Sequence, residues 1–267
     1  MRRGVKFGGG LGILALVAVL ILGGDPTQIL NMLGGVESMN PTTQTQRTQR
    51  TGSANDEQAE FVSVVLAETE DTWNTLFKTA GRRYQPPKLV LYTDYVQSAC
   101  GFSSAATGPF YCPPDHKVYI DLGFFKQLRK FGASGDFAQA YVIGHEIAHH
   151  VQNLLGTSAG VRKLQARSSQ SQANALSVLT ELQADCYAGV WAHHAHKQRH
   201  ILEPGDVEEG LRAAASVGDD RMQQMAGQQV QPESFTHGSS GQRTQWFRTG
   251  LATGRLDACD TFANLKG

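Results

Sequence analysis

The sequence predicts an α+β protein dominated by helix, with a small sheet near its start. Two short runs rich in β-branched and aromatic residues, Lys88–Thr93 and Lys117–Leu122, come early in the body of the chain. After Gly123 most segments repeat their apolar residues at helical spacing. A few strands followed by a run of helices fits α+β rather than alternating α/β. Ahead of this body, Phe7 to Gly24 is an uncharged stretch, which predicts one N-terminal transmembrane helix.

Residues 1–24 read as a membrane anchor. The centre, Leu11 to Leu22, is nearly all aliphatic, and as a helix the uncharged run spans roughly 27 Å, close to the hydrocarbon thickness of a bilayer. Arg2, Arg3 and Lys6 precede it, and Asp25 follows. Positive charge stays on the cytoplasmic side, so the body is expected on the periplasmic or extracellular side of an inner or plasma membrane. No small-x-small site follows Leu22, which favours a single-span anchor over a cleaved signal peptide. Either sends the body to a compartment that tolerates disulfides. Residues 25–55 read as a flexible tether, since Asn40 to Ser53 is polar and cannot offset its ordering entropy.

The remaining unit, 56–267, opens with a helix ended by Gly81 and anchored by Phe61, Val64, Val65, Trp73, Leu76 and Phe77. The two strands follow. The Gly-, Ser- and Pro-rich segment from Cys100 to Pro114 reads as a loop between them. Helices are expected at about 124–131, 137–155, 170–198, 206–222 and 240–253. In the 267-residue chain, 24 Lys and Arg balance 24 Asp and Glu. That balance argues against a nucleic-acid binder, which carries a basic surplus.

The chemistry concentrates in His145-Glu146-x-x-His149. On a helix, i and i+4 share one face, so the two imidazoles can converge on one Zn²⁺. Glu146 is turned about 100° away and suits a general base for water rather than a ligand. The flanks Val142, Ile143, Ile147, Ala148, Val151, Leu154 and Leu155 are apolar. Two His and a Glu in such a core are costly unless a metal takes them up. Glu181 and Asp185, again i and i+4, sit among Leu182, Ala184, Tyr187, Ala188, Val190 and Trp191. The economical assignment makes Glu181 the third ligand and Asp185 the hydrogen-bond partner of a ligand imidazole, His149. The swap, with Asp185 on the metal, stays open. His150 points away and is not assigned as a ligand.

His145-Glu-Ile-Ala-His149 followed by Glu181-Leu-Gln-Ala-Asp185 resembles a gluzincin, the zincin group whose third ligand is Glu. The E-x-x-A-D spacing is similar to that of CAAX-prenyl-protease-type membrane metallopeptidases. With its anchor, its Cys-Gly…Gly-Pro-Phe-Tyr-Cys-Pro segment, its Val-Tyr-Ile-Asp-Leu strand and its Ala-Asp-Cys-Tyr-Ala-Gly helix, the chain resembles the bacterial putative neutral zinc metallopeptidase family over roughly 56–265. The resemblance implies a zincin-like domain holding one Zn²⁺ and hydrolysing a peptide or protein substrate. It also implies a His or Arg beyond the third ligand as oxyanion stabiliser. His237 and Arg243 are six apart, similar to the prenyl-protease pattern His-Pro-x-x-x-x-Arg, with Gly238 in place of Pro. Ser239 or Ser240 can equally cap the following helix. Zincins bind extended substrates at a sheet edge, a role open to Val118–Leu122, which an ordinary core strand would also explain.

His193, His194, His196 and His200 read as a solvated helix C-terminus that complements the dipole. In an oxidising compartment the four cysteines are expected to pair as Cys100–Cys112 and Cys186–Cys259, one of three possible connectivities. The functional expectation is a membrane-tethered zinc metallopeptidase. Its rivals are a zinc-binding interaction or assembly protein of the cell envelope and a zinc amidase acting on cell-wall peptides.

Overall fold

The computed structural model describes residues 54–104 and 108–265. The anchor expected at 1–24, and the tether up to its last two residues, lie outside them. Among the described residues no helix is long and apolar enough to cross a membrane.

The body opens with helix α1, Ala54–Thr79. Strand β1, Lys88–Tyr92, pairs in parallel with β5, Lys117–Asp121, in the register Leu89 with Val118 and Leu91 with Ile120. Strand β4, Phe110–Cys112, pairs antiparallel with β5 on its other side. The sheet order is therefore β1-β5-β4. This qualifies the edge-strand reading of Val118–Leu122: β5 is central, with β1 along Lys117–Asp121 on one edge and β4 along Lys117–Tyr119 on the other, and Val118 to Asp121 are buried.

The expected loop from Cys100 also needs correction. It contains β3, Gly101–Ser104, which forms an antiparallel hairpin with β2, Tyr95–Ser98, and it contains β4. These strands are three or four residues long, and β2 and β3 carry Ser or Gly, so no hydrophobic alternation announces them. The Cys100–Cys112 disulfide ties the hairpin to β4.

Helix follows helix after the sheet: α2, Phe124–Lys130; α3, Asp136–Leu155; α4, Thr157–Gln165; α5, Gln170–Arg199; α6, Asp206–Ser216; α7, Asp219–Met225; and α8, Ser240–Thr253. The sequence reading missed α4, which buries only Val161 and follows Gly156 in the left-handed conformation. The single helix expected at 206–222 is two. A Cβ on Gly218 would lie 2.4 Å from the Ser240 backbone nitrogen, so the chain bends there to admit the start of α8. Ser239 caps α8 in a capping box with Gln242, and Ser169 caps α5 with Gln172.

Helices α3 and α5 pack antiparallel at the centre. Trp191, late in α5, stacks on Phe137, early in α3, and lies over Gly144. On its other flank α5 meets α8 almost backbone to backbone. A Cβ on Gly250 would lie 1.8 Å from the Cys186 carbonyl, and one on Gly189 would lie 2.2 Å from the Phe247 carbonyl. Only glycine fits either position, and the close crossing carries Arg243 of α8 to Asp185 of α5. Helix α1 closes a third side through Trp73 against Tyr187.

Candidate metal centre

His145 and His149 project from α3 towards Glu181 of α5. Nε2 of His145 is 3.1 Å from Glu181 Oε2, and Nε2 of His149 is 3.4 Å from Oε1. The two Nε2 atoms are themselves 3.1 Å apart. One ligand atom from each of the three residues lies within 4.8 Å of the others. A second group, Asp136, Asp206 and Glu209, offers only carboxylates and is partly exposed. Two imidazoles and one carboxylate suit zinc and leave a coordination position open, as hydrolytic zinc sites do.

Each imidazole is held from behind. The Asp185 carboxylate can only accept, so His145 Nδ1–H donates to its Oδ1 at 2.9 Å, leaving the Nε2 lone pair for a metal. His149 Nδ1 meets Gln152 Oε1 at 2.9 Å. The sequence reading gave Asp185 to His149. The structure gives it to His145, because antiparallel packing sets later residues of α5 against earlier residues of α3. For the same reason Asp185 lies away from the convergent Nε2 atoms, while Glu181 lies among them.

Asp185 is fully buried and heavily engaged. Oδ2 accepts from Arg243 Nε at 2.8 Å, and Oδ1 accepts from an Arg243 terminal nitrogen at 2.9 Å and from the Tyr141 hydroxyl. Arg243 also donates to the Val217 carbonyl at 3.1 Å and is 3% exposed. Arg243 was expected as an oxyanion donor. It stands instead on the Nδ1 side of His145, with donors directed to Asp185, Tyr141 and Val217. Burial opposes charge on both partners, yet their attraction holds the Asp185 carboxyl below its usual range and the Arg243 guanidinium far above. Burial likewise disfavours the His145 imidazolium, and Asp185 and Glu181 outweigh it, raising the pKa to about 10, so a metal at Nε2 would have to displace the proton that Glu181 favours there. Burial acts to raise Glu181, and the two histidines hold it well below the usual carboxylate range.

Glu146 is buried beside the ligands. Its charge acts on His149 and on Tyr92, at the C-terminal end of β1. His237 sits in a loop gathered by Asp219, whose carboxylate accepts from the backbone N–H groups of Thr236, His237 and Gly238 and faces His237 Nδ1 at 3.0 Å. Among the described residues His237 Nε2 has no hydrogen-bond partner. Gly238 packs against Val178 and Leu182, the α5 neighbours of Glu181. Its φ of 92° is closed to proline, so the loop departs from the prenyl-protease pattern.

The other histidines are structural. His150 Nε2–H donates to the Gln85 carbonyl at 2.6 Å, and its Nδ1 accepts from Tyr111. Burial is the main cause of its pKa falling to about 4. Of the cluster expected to be solvated, the rings of His193 and His194 bond the carbonyls of Leu251 and Gly254 at the end of α8 and His196 accepts from the Leu202 N–H, while His200 is exposed. Both expected disulfides are present. Gln152 escaped the sequence reading, since a glutamine on a helix signals a surface position.

A helix-borne histidine pair faced by a carboxylate from a second helix, on an α+β scaffold, is the arrangement of a zincin. The chain belongs to the family described as putative neutral zinc metallopeptidase, whose model matches residues 2–262. It is 48% identical over 252 residues to the uncharacterized protein YpfJ of Escherichia coli (strain K12), covering 94% of this chain and 86% of that one. It is 42% identical over 214 residues to the uncharacterized protein Rv2575 of Mycobacterium tuberculosis (strain H37Rv), covering 76% of this chain and 71% of that one. No solved structure matches it.

Proposed function

We propose that the chain is a membrane-tethered zinc metallopeptidase that hydrolyses peptide bonds on the periplasmic or extracellular side. The carrying observation is the convergence of His145 Nε2, His149 Nε2 and the Glu181 carboxylate, with each Nδ1 tied off behind. Family membership supports the same reading. Zinc held there would polarise the scissile carbonyl and lower the pKa of water. Glu146 takes the proton of the attacking water and passes it to the leaving amine. His237 offers its unpartnered Nε2 as a donor to the developing oxyanion, a contribution of about 3–4 kcal/mol. Arg243 acts at a distance, neutralising Asp185 so that this carboxylate can orient His145. A structural zinc site would be closed by four protein ligands, and among the described residues this one gathers three.

The test compares the purified full-length chain with Glu146→Gln and His145→Ala for zinc content and peptide hydrolysis. About one zinc per chain is expected in the first two and a loss in the third, with hydrolysis only in the wild type. Full hydrolysis by Glu146→Gln would refute the mechanism. A folded, disulfide-bonded wild type that takes up no offered zinc would refute the class.

A further inference from the structure

We infer that Gln152 is the positioning residue that fixes the tautomer of His149, through an amide relay that ends on backbone carbonyls of α5 and the C-terminal tail. The inference rests on the zinc-site reading for its consequence, and on the hydrogen-bond geometry alone for its existence.

The argument is one of donor and acceptor parity. The Cys259 carbonyl can only accept, so the Gln183 group facing it at 3.1 Å is the amide nitrogen. That turns Gln183 Oε1 towards Gln152, whose nitrogen donates to it at 3.2 Å. The same Gln152 nitrogen donates to the Thr180 carbonyl at 2.7 Å, a second group that only accepts. Both amide hydrogens of Gln152 are thereby used. Its Oε1 is left facing His149 Nδ1 at 2.9 Å, and an oxygen there demands a hydrogen on the ring. His149 is set as the Nδ1–H tautomer, with its Nε2 lone pair turned to His145 and Glu181.

Burial makes the parity binding. Gln152 is fully buried and Gln183 nearly so. A flipped Gln152 amide would set an oxygen against the Thr180 and Gln183 oxygens at a fully buried position. The two ligand histidines are therefore locked by different chemistry. His145 is held by an anion neutralised by Arg243, and His149 by a neutral amide that adds no charge. The relay ends on Cys259, which is bonded to Cys186, the residue after Asp185. One disulfide thus stands at the root of both locks.

The experiment measures zinc affinity of the full-length protein by chelator competition, together with the ¹⁵N shifts of His149. Gln152→Leu is expected to weaken zinc ten- to a hundredfold. Gln183→Leu is expected to cost about threefold or less, because Thr180 still claims one Gln152 hydrogen. Gln152→Glu keeps an acceptor opposite Nδ1 but sets its second oxygen against the Thr180 and Gln183 oxygens, so it is expected to lose zinc affinity as well while keeping the Nδ1–H signature that Gln152→Leu loses, a separation a space-filling role would not produce. In zinc-free protein, at a pH where the ring is neutral, the ¹⁵N shifts are expected to report the Nδ1–H tautomer, giving way to a mixture in Gln152→Leu. An Nε2–H tautomer in the wild type, or wild-type zinc affinity in Gln152→Leu, would overturn the inference. A wild type that binds no zinc would sink the zinc-site reading, while the nitrogen shifts would still decide the relay.

Discussion

Exchanging the members of the Asp185–Arg243 pair tests whether the metal centre is built on a coupled buried ion pair. Asp185 is fully buried and Arg243 is 3% exposed. Two of the Arg243 nitrogens contact the carboxylate at 2.8 and 2.9 Å. Arg243→Met leaves the carboxylate with Tyr141 and His145 as its remaining donors. Asp185→Asn turns an amide nitrogen towards the guanidinium and leaves the cation without an anion. Removing one partner of such a pair costs about 3–5 kcal/mol, because the other charge stays buried and unmatched. The double variant has neither charge and is expected to cost less than the sum of the singles by about 2–3 kcal/mol. Urea unfolding with the disulfides intact and zinc chelated reads all four proteins, with unchanged m-values as the control. Additivity within about 0.5 kcal/mol would refute the reasoning, and Arg243 would then be a packing residue whose charge is incidental.

Other predictions concern stability. Loop lengths give the Cys186–Cys259 bond, spanning 73 residues, about 4.4 kcal/mol of chain-entropy stabilisation, and Cys100–Cys112, spanning 12, about 2.8. Paired alanine replacements should rank in that order by thermal unfolding, and the reverse order would contradict it. Gly250→Ala drives a methyl into the Cys186 carbonyl and should cost about 3 kcal/mol or more; a melting temperature within a few degrees of wild type would show that the helices can separate there. His150 ionises at about 4 in the folded chain against 6.5 unfolded. Its neutral form thus contributes about 3 kcal/mol that is present above pH 6.5 and lost as pH falls to 4. His150→Gln should flatten that acid limb, and an identical slope in the variant would assign it to other groups.

The parts legible in the sequence were local ones. The i, i+4 spacing of His145 and His149 places both imidazoles on one face, whatever the rest of the chain does. Glu181 was legible because a carboxylate in an apolar stretch asks for a cation. The partner of Asp185 was misread because it depends on the direction in which α3 and α5 pack, which neither helix encodes alone. Gln152 resembles an ordinary exposed helix residue, and Arg243 was legible as a cation near the site but not as the partner of Asp185; the glycine crossing at 189 and 250 and the docking of the segment around Cys259 bury the two. The hairpin at 95–104 had no pattern to read, since it is too short for alternation and is secured by a disulfide.

Helix α5 leaves no side to water from Leu182 to Ala192. One of its walls is α3, made earlier, but another is α8 and the segment around Cys259, made later. A nascent chain that has reached Arg199 already carries His145, Glu146, His149 and Glu181. It still lacks the arginine that neutralises Asp185 and the cysteine that pairs with Cys186. The surroundings of the centre are thus complete only once Cys259 has been made, some sixty residues after the helix that carries Glu181 has ended.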